Sequence, residues 1–243
     1  MTRLTEKRFG AGAMQLIVSP GYEQVTASWF SPDFWGRSAA PVSAGGRGGA
    51  WFIESDTSEL VLRHYRRGGL VASLAEKTYF FTGFDRTRST AEFNLLRKLR
   101  ELSLPVPEPV AAITWKYRAL WYRAAILVKR IPGAVTFAES ECLEEATLWA
   151  EVGALIRRFH DEGLDHVDLN CDNILVSRGR IYLIDFDRCR LRAGVENSAD
   201  AEWKRKNLDR LYRSVEKRCS RLDSEKRATC WASLLRAYQK KSS

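Results

Sequence analysis

No run of about 18 consecutive apolar residues occurs anywhere in the chain, so no transmembrane helix is expected. The first segment, MTRLTEKRFGAGAMQLIVSP, offers an apolar run too short for a secretory h-region, interrupted by Gln15, and it lacks a small-residue cleavage pattern. The protein is therefore expected to stay in the cytoplasm. Its five cysteines, Cys142, Cys171, Cys189, Cys219 and Cys230, form no C-x-x-C pair and no Cys/His cluster at zinc spacing, which argues for reduced thiols, with Cys171 and Cys189 read as packed and inert. Internal repeats and low-complexity tracts are also missing.

What is present is ordinary for a soluble globular protein: 243 residues, 45% hydrophobic and 28% charged. That length can bury a full core and fits one domain of two lobes or two small domains. The formal net charge of +9 attracts polyanions, whether nucleic acid, anionic lipid or a phosphorylated substrate, and charge alone does not choose among them.

Along the chain, the glycine-rich loop AGGRGG precedes two strand-like runs, Trp51 to Ile53 and Leu60 to Leu62, joined by a polar turn. A helix is predicted over Thr90 to Leu102, with Leu95, Leu99 and Leu102 on one apolar face, ended by Pro105, Pro107 and Pro109. Strand-like runs at Ala111 to Trp115 and Tyr122 to Val128 follow, and Ile131, Pro132 and Gly133 mark a lobe boundary. Beyond it, Leu148, Val152, Leu155, Ile156 and Phe159 keep helical spacing, and two short β-runs, Ile174 to Val176 and Ile181 to Ile184, precede helical stripes containing Leu211 and Leu234. The division expected is an N-terminal extension over 1–42, a nucleotide-binding N-lobe over 43–130 and a catalytic, acceptor-binding C-lobe over 131–243. A β-rich half and a helical half leave a cleft, where ligands usually bind.

Phosphoryl transfer asks for a carboxylate to orient the attacking hydroxyl, metal ions to neutralise the phosphates and cations to hold the triphosphate. The stretch HVDLNCDNILV meets the first two needs. Asp168 stands two residues after His166 and five before Asn173, the spacing of the H-x-D-L-x-x-x-N catalytic loop of protein-kinase-like folds, with Asp as base and Asn as magnesium ligand. Asp185, in IDFDR at the end of a strand, takes the place of the metal-binding aspartate of D-F-G. The fold class expected is α+β, a two-lobed kinase-like fold with a small β-rich N-lobe and a larger, mainly helical C-lobe. ATP and Mg2+ are the expected cofactors.

The upstream elements depart from that pattern. Gly46 and Gly48 lie in AGGRGGAWF, which is either a phosphate cover or a plain connection, not a regular G-x-G-x-x-G. Glu92 opens the apolar helix face where a kinase carries its ion-pairing glutamate. Arg63 stands where the strand lysine is expected, keeping the charge in a bulkier planar fork. No A-P-E follows Asp185, so a peptide-presenting segment is not expected and a small or lipid-linked acceptor is favoured. Arg188, Arg190 and Arg192, just after Asp185, are read either as holding an acidic acceptor or as a solvated basic edge. The helix around Leu211 is strongly basic and is read either as a membrane-surface helix or as a core helix with a solvated outer side. His64, His160 and His166 are read as structural.

The blocks GRGGAWFI, VLRHYRRGGLV, PVPEPVAA, RRFHDEGLDHVDLNCDNIL and LIDFDRCRLR resemble the 3-deoxy-D-manno-octulosonic acid (Kdo) kinases of lipopolysaccharide assembly, over about Trp29 to Lys217. The resemblance implies ATP-dependent phosphorylation of the 4-hydroxyl of a Kdo sugar on a lipid A precursor, by a protein peripheral to the anionic cytoplasmic face of the inner membrane. It gives Asp168 the base role and Asn173 and Asp185 the metal. It makes Arg63, His64, Arg66 and Arg67 of the RHYRRGG block nucleotide or sugar contacts, without dividing those roles among them. No nucleic-acid partner is implied. A lipopolysaccharide-core heptose kinase, or a non-catalytic kinase-like binder of anionic lipid, are the alternatives.

Overall fold

The computed structural model describes residues 4–10, 13–42, 49–65, 79–117, 120–194 and 201–240, so Gly46, Gly48, Arg66 and Arg67 lie outside the described residues. The chain divides into two compact units, Met1–Arg97 with Pro107–Arg130 and Lys98–Val106 with Ile131–Ser243.

The first unit is built on one antiparallel sheet. Its strands are β1 (Thr5–Phe9), β2 (Met14–Val18), β3 (Ala39–Pro41), β4 (Ala50–Glu54), β5 (Glu59–His64), β6 (Tyr79–Phe80), β7 (Pro109–Tyr117) and β8 (Trp121–Lys129). The order is β1-β2-β7-β8-β5-β4-β3, with β6 also paired to β8. The central pair explains itself: PVAAITWKY and WYRAAILVK are nearly continuous apolar runs, as strands buried on both faces require. Leu16, Val18, Ile53, Leu60, Leu62, Ile113 and Leu127 make one core with them, all 1% exposed or less. The residues before position 42 thus supply β1, β2 and β3 to this same sheet. The β4–β5 connection is the expected polar turn, closed by Ser55 Oγ donating to Ser58 O at 2.8 Å and accepting from Ser58 N at 3.1 Å.

A short helix, α1 (Pro32–Trp35), lies before β3, and α2 (Arg88–Glu101) lies between β6 and β7. The inward face of α2 is Phe93, Leu96 and Leu99 with Glu92, whereas Leu95 and Leu102 are only half-buried. Spacing alone favoured the leucine stripe. The roll of the helix is set instead by Glu92, which must face inward to meet its partners on and beside β5.

The second unit is mainly helical. It holds β9 (Val135–Thr136), α3 (Ala146–Asp161), β10 (Leu164–Asp165), β11 (Ile174–Ser177), β12 (Arg180–Leu183), β13 (Arg190–Leu191), α4 (Glu202–Arg218) and α5 (Ser224–Gln239). Two small sheets, β12-β11-β9 and β10-β13, accompany the helices. The apolar stripe of α3 is buried as its periodicity predicts, from Leu148 to Phe159. Packing with α5 is close at Gly153, where a Cβ would stand 2.1 Å from Leu234 O, so only glycine fits.

Candidate active site

Asp168 sits in the turn between β10 and β11, and neighbouring groups hold that turn from several sides. Just upstream, the buried Asp165 accepts from Arg192 Nε and Nη2 at 2.9 and 2.7 Å and from Asn207 Nδ2 at 3.0 Å. A carboxylate withdrawn from water is tolerated only when charge and hydrogen bonds replace hydration, and the guanidinium fork supplies both. Gly163 makes the approach of Arg192 possible: its φ is +83°, and a Cβ there would stand 2.0 Å from Arg192 O. Arg192 N donates to Gly163 O at 2.8 Å.

His166 is fixed next. Its backbone N donates to Asn207 Oδ1 at 2.9 Å, and its ring Nε2 lies 3.0 Å from Ile184 O. A carbonyl only accepts, so Nε2 carries the proton. Burial holds the ring's pKa below the ordinary histidine value, and the side chain is neutral and structural. Phe186, 1% exposed, packs edge-on against this ring at 5.2 Å.

The backbone of Asp168 is pinned while its side chain is left exposed. Its carbonyl accepts from Asn170 Nδ2 and Asn173 Nδ2, both at 2.9 Å. Asn170 Oδ1 in turn caps the 3-10 turn Cys171–Asn173 by accepting from Asp172 N at 2.9 Å and Asn173 N at 3.1 Å. Among the described residues the carboxylate takes one side-chain hydrogen bond, from Arg210 Nη1 on α4, at 3.0 Å.

Asn173 and Asp185 come side by side through the β11–β12 hairpin. Its register pairs Ile174 with Leu183, and Ile184 N donates to Asn173 O at 3.0 Å, which puts Asp185 one step beyond. With Nδ2 committed to the loop, Asn173 Oδ1 is left to accept, and it has no hydrogen bond among the described residues. Asp185 has φ +62°, a left-handed conformation that a short polar side chain tolerates better than most and that clusters at functional sites. Among the described residues no group of three or more His, Cys, Asp or Glu could hold a metal ion. Magnesium in phosphoryl transfer needs less: one or two side-chain oxygens, with phosphates and waters completing the shell. Asn173 Oδ1 and the Asp185 carboxylate are a donor set of that kind.

In the first unit, Arg63 at the end of β5 donates through Nη2 to Glu92 Oε2, and Tyr65 OH donates to the same oxygen at 2.6 Å. Glu92 is 4% exposed and Arg63 23%, so the carboxylate is buried while the guanidinium still reaches solvent. The Arg63 guanidinium also lies over the Tyr65 ring at 4.9 Å. Arg63, standing where the strand lysine is expected, is thus ion-paired with Glu92.

Arg188 is exposed with φ +61°. Arg190, in β13, is also exposed, with Nε 4.0 Å from Asp165 Oδ2, so it joins the carboxylate that Arg192 holds. Three residues of this region escaped the sequence reading: Asp165, Asn207 and Arg210. Asn207 had a usable signal, because it precedes Leu211 and Val215 at four-residue spacing, a polar residue on an apolar stripe. Such a residue, when buried, needs partners.

The family model described as "Lipopolysaccharide kinase (Kdo/WaaP) family" matches residues 32–238. A 3-deoxy-D-manno-octulosonic acid kinase of Stenotrophomonas maltophilia (strain K279a) is 46% identical over 238 residues, covering 97% of this chain and 93% of that one. One of Xylella fastidiosa (strain M12) is 47% identical over 196 residues, covering 79% and 76%. Among solved structures, WaaP in complex with acyl carrier protein aligns with a TM-score of 0.57 at 16% identity, covering 93% of this chain and 89% of that one. An aminoglycoside-3'-phosphotransferase of type VIII aligns with a TM-score of 0.54 at 17% identity, covering 82% and 84%. At these identities the structural likeness speaks for the fold alone, which is α+β and protein-kinase-like. From the family model and the identity to these kinases together, the chain belongs to the lipopolysaccharide kinase (Kdo/WaaP) family.

Proposed function

We propose that the protein is a Kdo kinase, transferring the γ-phosphoryl group of ATP to the 4-hydroxyl of a Kdo sugar on a lipid A precursor. The observation that carries the phosphotransfer reading is the loop geometry, in which Asp168 is fixed through its backbone and exposed through its carboxylate. The acceptor follows from similarity to kinases named for Kdo at 46% identity over nearly the whole chain.

In this reading Asp168 accepts a hydrogen bond from the sugar hydroxyl, orients its oxygen towards phosphorus and takes its proton as the new bond forms. Asn173 Oδ1 and Asp185 would hold magnesium, which when bound would neutralise charge on the phosphates. Arg63, oriented by Glu92 and Tyr65, contributes positive charge to the nucleotide phosphates; Gly46 and Gly48 would cover them, and Arg66 and Arg67 would contact nucleotide or sugar. Arg188 and Arg190 are exposed cations available to an acidic acceptor. No helix among the described residues is long and apolar enough to cross a membrane. Contact with the lipid-borne acceptor would be peripheral, helped by the basic outer side of α4 on an anionic surface.

The test is mass spectrometry of Kdo-bearing lipid A precursor after incubation with the protein, ATP and magnesium. Gain of one phosphate on Kdo is expected. Phosphate found on heptose-bearing core alone rejects the acceptor, and no ATP consumption with either acceptor rejects the enzyme.

A further inference from the structure

Beside the catalytic loop, and wholly within the second unit, is a cavity of about 600 Å³. Val167, the neighbour of Asp168, lines it, and much of the remaining wall comes from one side of α4, including Lys206, Arg210 and Arg213. These three cations are spaced i, i+4 and i+7, so they form a single ladder along the helix. They are not equivalent. Lys206 Nζ is 3.0 Å from Glu202 Oε1, a pair on the helix surface. Arg210 reaches off the helix to Asp168 Oδ1. Arg213 is exposed and has no ion-pair partner among the described residues.

The buried end of the cavity is internally balanced, because Asp165 is matched there by Arg192 and Asn207. The wall also carries two carboxylates, Glu202, which is paired with Lys206, and Asp209; Arg213 is the cation of the ladder left without an ion-pair partner among the described residues, one turn along α4 from Arg210 and its contact with Asp168. An arginine fork facing a cavity is suited to a carboxylate, which it can meet with two parallel hydrogen bonds. In a 3-deoxy-octulosonic acid the acid and the 4-hydroxyl belong to one sugar ring. A hydroxyl presented to Asp168 therefore brings its carboxylate within one ring width of the same base, beside Arg210, which touches Asp168, and towards Arg213, one turn further along the same cavity wall.

We propose that this cavity receives the acceptor sugar, that Arg213 binds its carboxylate, and that Arg210 is a latch that leaves Asp168 for that carboxylate when the acceptor arrives. The inference rests on the Kdo kinase reading and adds to it the residues that recognise the acid and a gate on the base. With no acceptor, the guanidinium occupies Oδ1 of Asp168 and competes with water for the carboxylate, which restrains wasteful transfer to solvent. An incoming carboxylate offers Arg210 a second anion, and the base is released only when a proper hydroxyl is beside it. The exchange is inexpensive because Arg210 and Asp168 are both about half-exposed, at 49% and 51%, and such pairs are weak.

The experiment compares wild type, Arg213→Gln, Arg213→Lys and Arg210→Gln on two acceptors, Kdo-bearing lipid A precursor and the same compound with the Kdo carboxylate converted to its methyl ester. Arg236→Gln, an exposed α5 cation away from the cavity, controls for loss of charge. Arg213→Gln is expected to raise KM for the acid by roughly 10- to 100-fold, the usual range for a lost charge-assisted hydrogen bond, with the lysine variant in between. The ester should show wild type the same penalty and should be blind to the Arg213 change, as two members of one contact must be. Arg210→Gln should raise ATP hydrolysis measured without acceptor while also raising KM for the acid. Equal KM for acid and ester on the wild-type enzyme overturns the inference and leaves the kinase reading standing, as does unchanged acceptor-free hydrolysis in Arg210→Gln. Failure of wild type to phosphorylate either compound sinks the kinase reading itself.

Discussion

Two carboxylates that the sequence nominates for the same reaction live in opposite surroundings. Glu92, in the first unit, is 4% exposed and shared between a guanidinium and a tyrosine hydroxyl, whereas the side chain of Asp168, in the second, is 51% exposed and, among the described residues, hydrogen-bonds through its carboxylate to Arg210 alone. In the first case the charged group itself is part of the packed interior. In the second the packing stops at the backbone, through Asn170, Asn173, Asn207 and His166, and the acid is presented to solvent. A group used to position another charge can be buried, but a base that must meet its substrate cannot. Substitution should therefore separate the two: activity without stability at Asp168, both together at Glu92.

The largest effect is expected at Asp168. Asp168→Ala should lower turnover by roughly 10²-fold or more, the usual loss of a general base. Its thermal midpoint should stay within about 2 °C of wild type, because the lost ion pair is half-exposed. A fall in midpoint much greater than that would show that the loop leans on its carboxylate and would erase the contrast.

Asp185 comes next and requires a different substitution. Its φ of +62° strains alanine, while asparagine tolerates that conformation, so Asp185→Asn removes the charge and leaves the backbone alone. Turnover should fall by about 10²-fold, in keeping with the several kcal/mol that a metal ion supplies. The magnesium concentration for half-maximal rate should rise as well. An unchanged magnesium dependence would take Asp185 out of the metal site.

Glu92→Gln should do what neither of these does. It leaves Arg63 and Tyr65 aimed at a neutral amide, at about 2 kcal/mol for a pair that is buried on one side only. The midpoint should drop roughly 4–8 °C, measured by calorimetry, together with a higher KM for ATP. Loss of activity at full stability would mean that Glu92 behaves like Asp168, and the comparison would fail.

Legibility followed the same division. The catalytic loop could be read because its constraints are local: Asp168, Asn170 and Asn173 are bound to one another within five residues, and the hairpin that brings in Asp185 turns over in a few more. The α3 stripe was equally legible, since its burial follows period. The roll of α2 was not, because it depends on Glu92 finding Arg63 across 29 positions of chain. The run MQLIV is assessed in the sequence only as a secretory h-region, for which it is too short; that it is a strand follows from pairing with β7 nearly a hundred residues later, a contact that no window on the sequence contains. Asp165 and Asn207 are illegible for the same reason, and Arg192 reads as a cation for an acidic acceptor rather than as the partner of Asp165: each looks like a surface residue until the other two arrive.

The smallest effect concerns a buried group with no part in the chemistry. His160 is 2% exposed, lies against the Trp203 and Tyr238 rings, and has Nδ1 2.8 Å from Tyr238 OH while Nε2 has no partner among the described residues. Burial, which disfavours the imidazolium, pulls its pKa from 6.5 down to about 3. The unfolded chain therefore takes up a proton near pH 6.5 that the folded chain refuses until about pH 3, and stability present above pH 6.5 is lost progressively across that window. His166 is displaced in the same direction and adds to the loss. Between pH 7 and pH 5 the His160 contribution amounts to about 2 kcal/mol. His160→Gln keeps a hydrogen-bonding group for Tyr238 and removes the proton site, so its unfolding free energy in urea should fall less steeply over those two pH units than that of wild type. Parallel slopes would mean that the buried imidazole gains a compensating partner on protonation, and the acid sensitivity would then have to come from the exposed carboxylates instead.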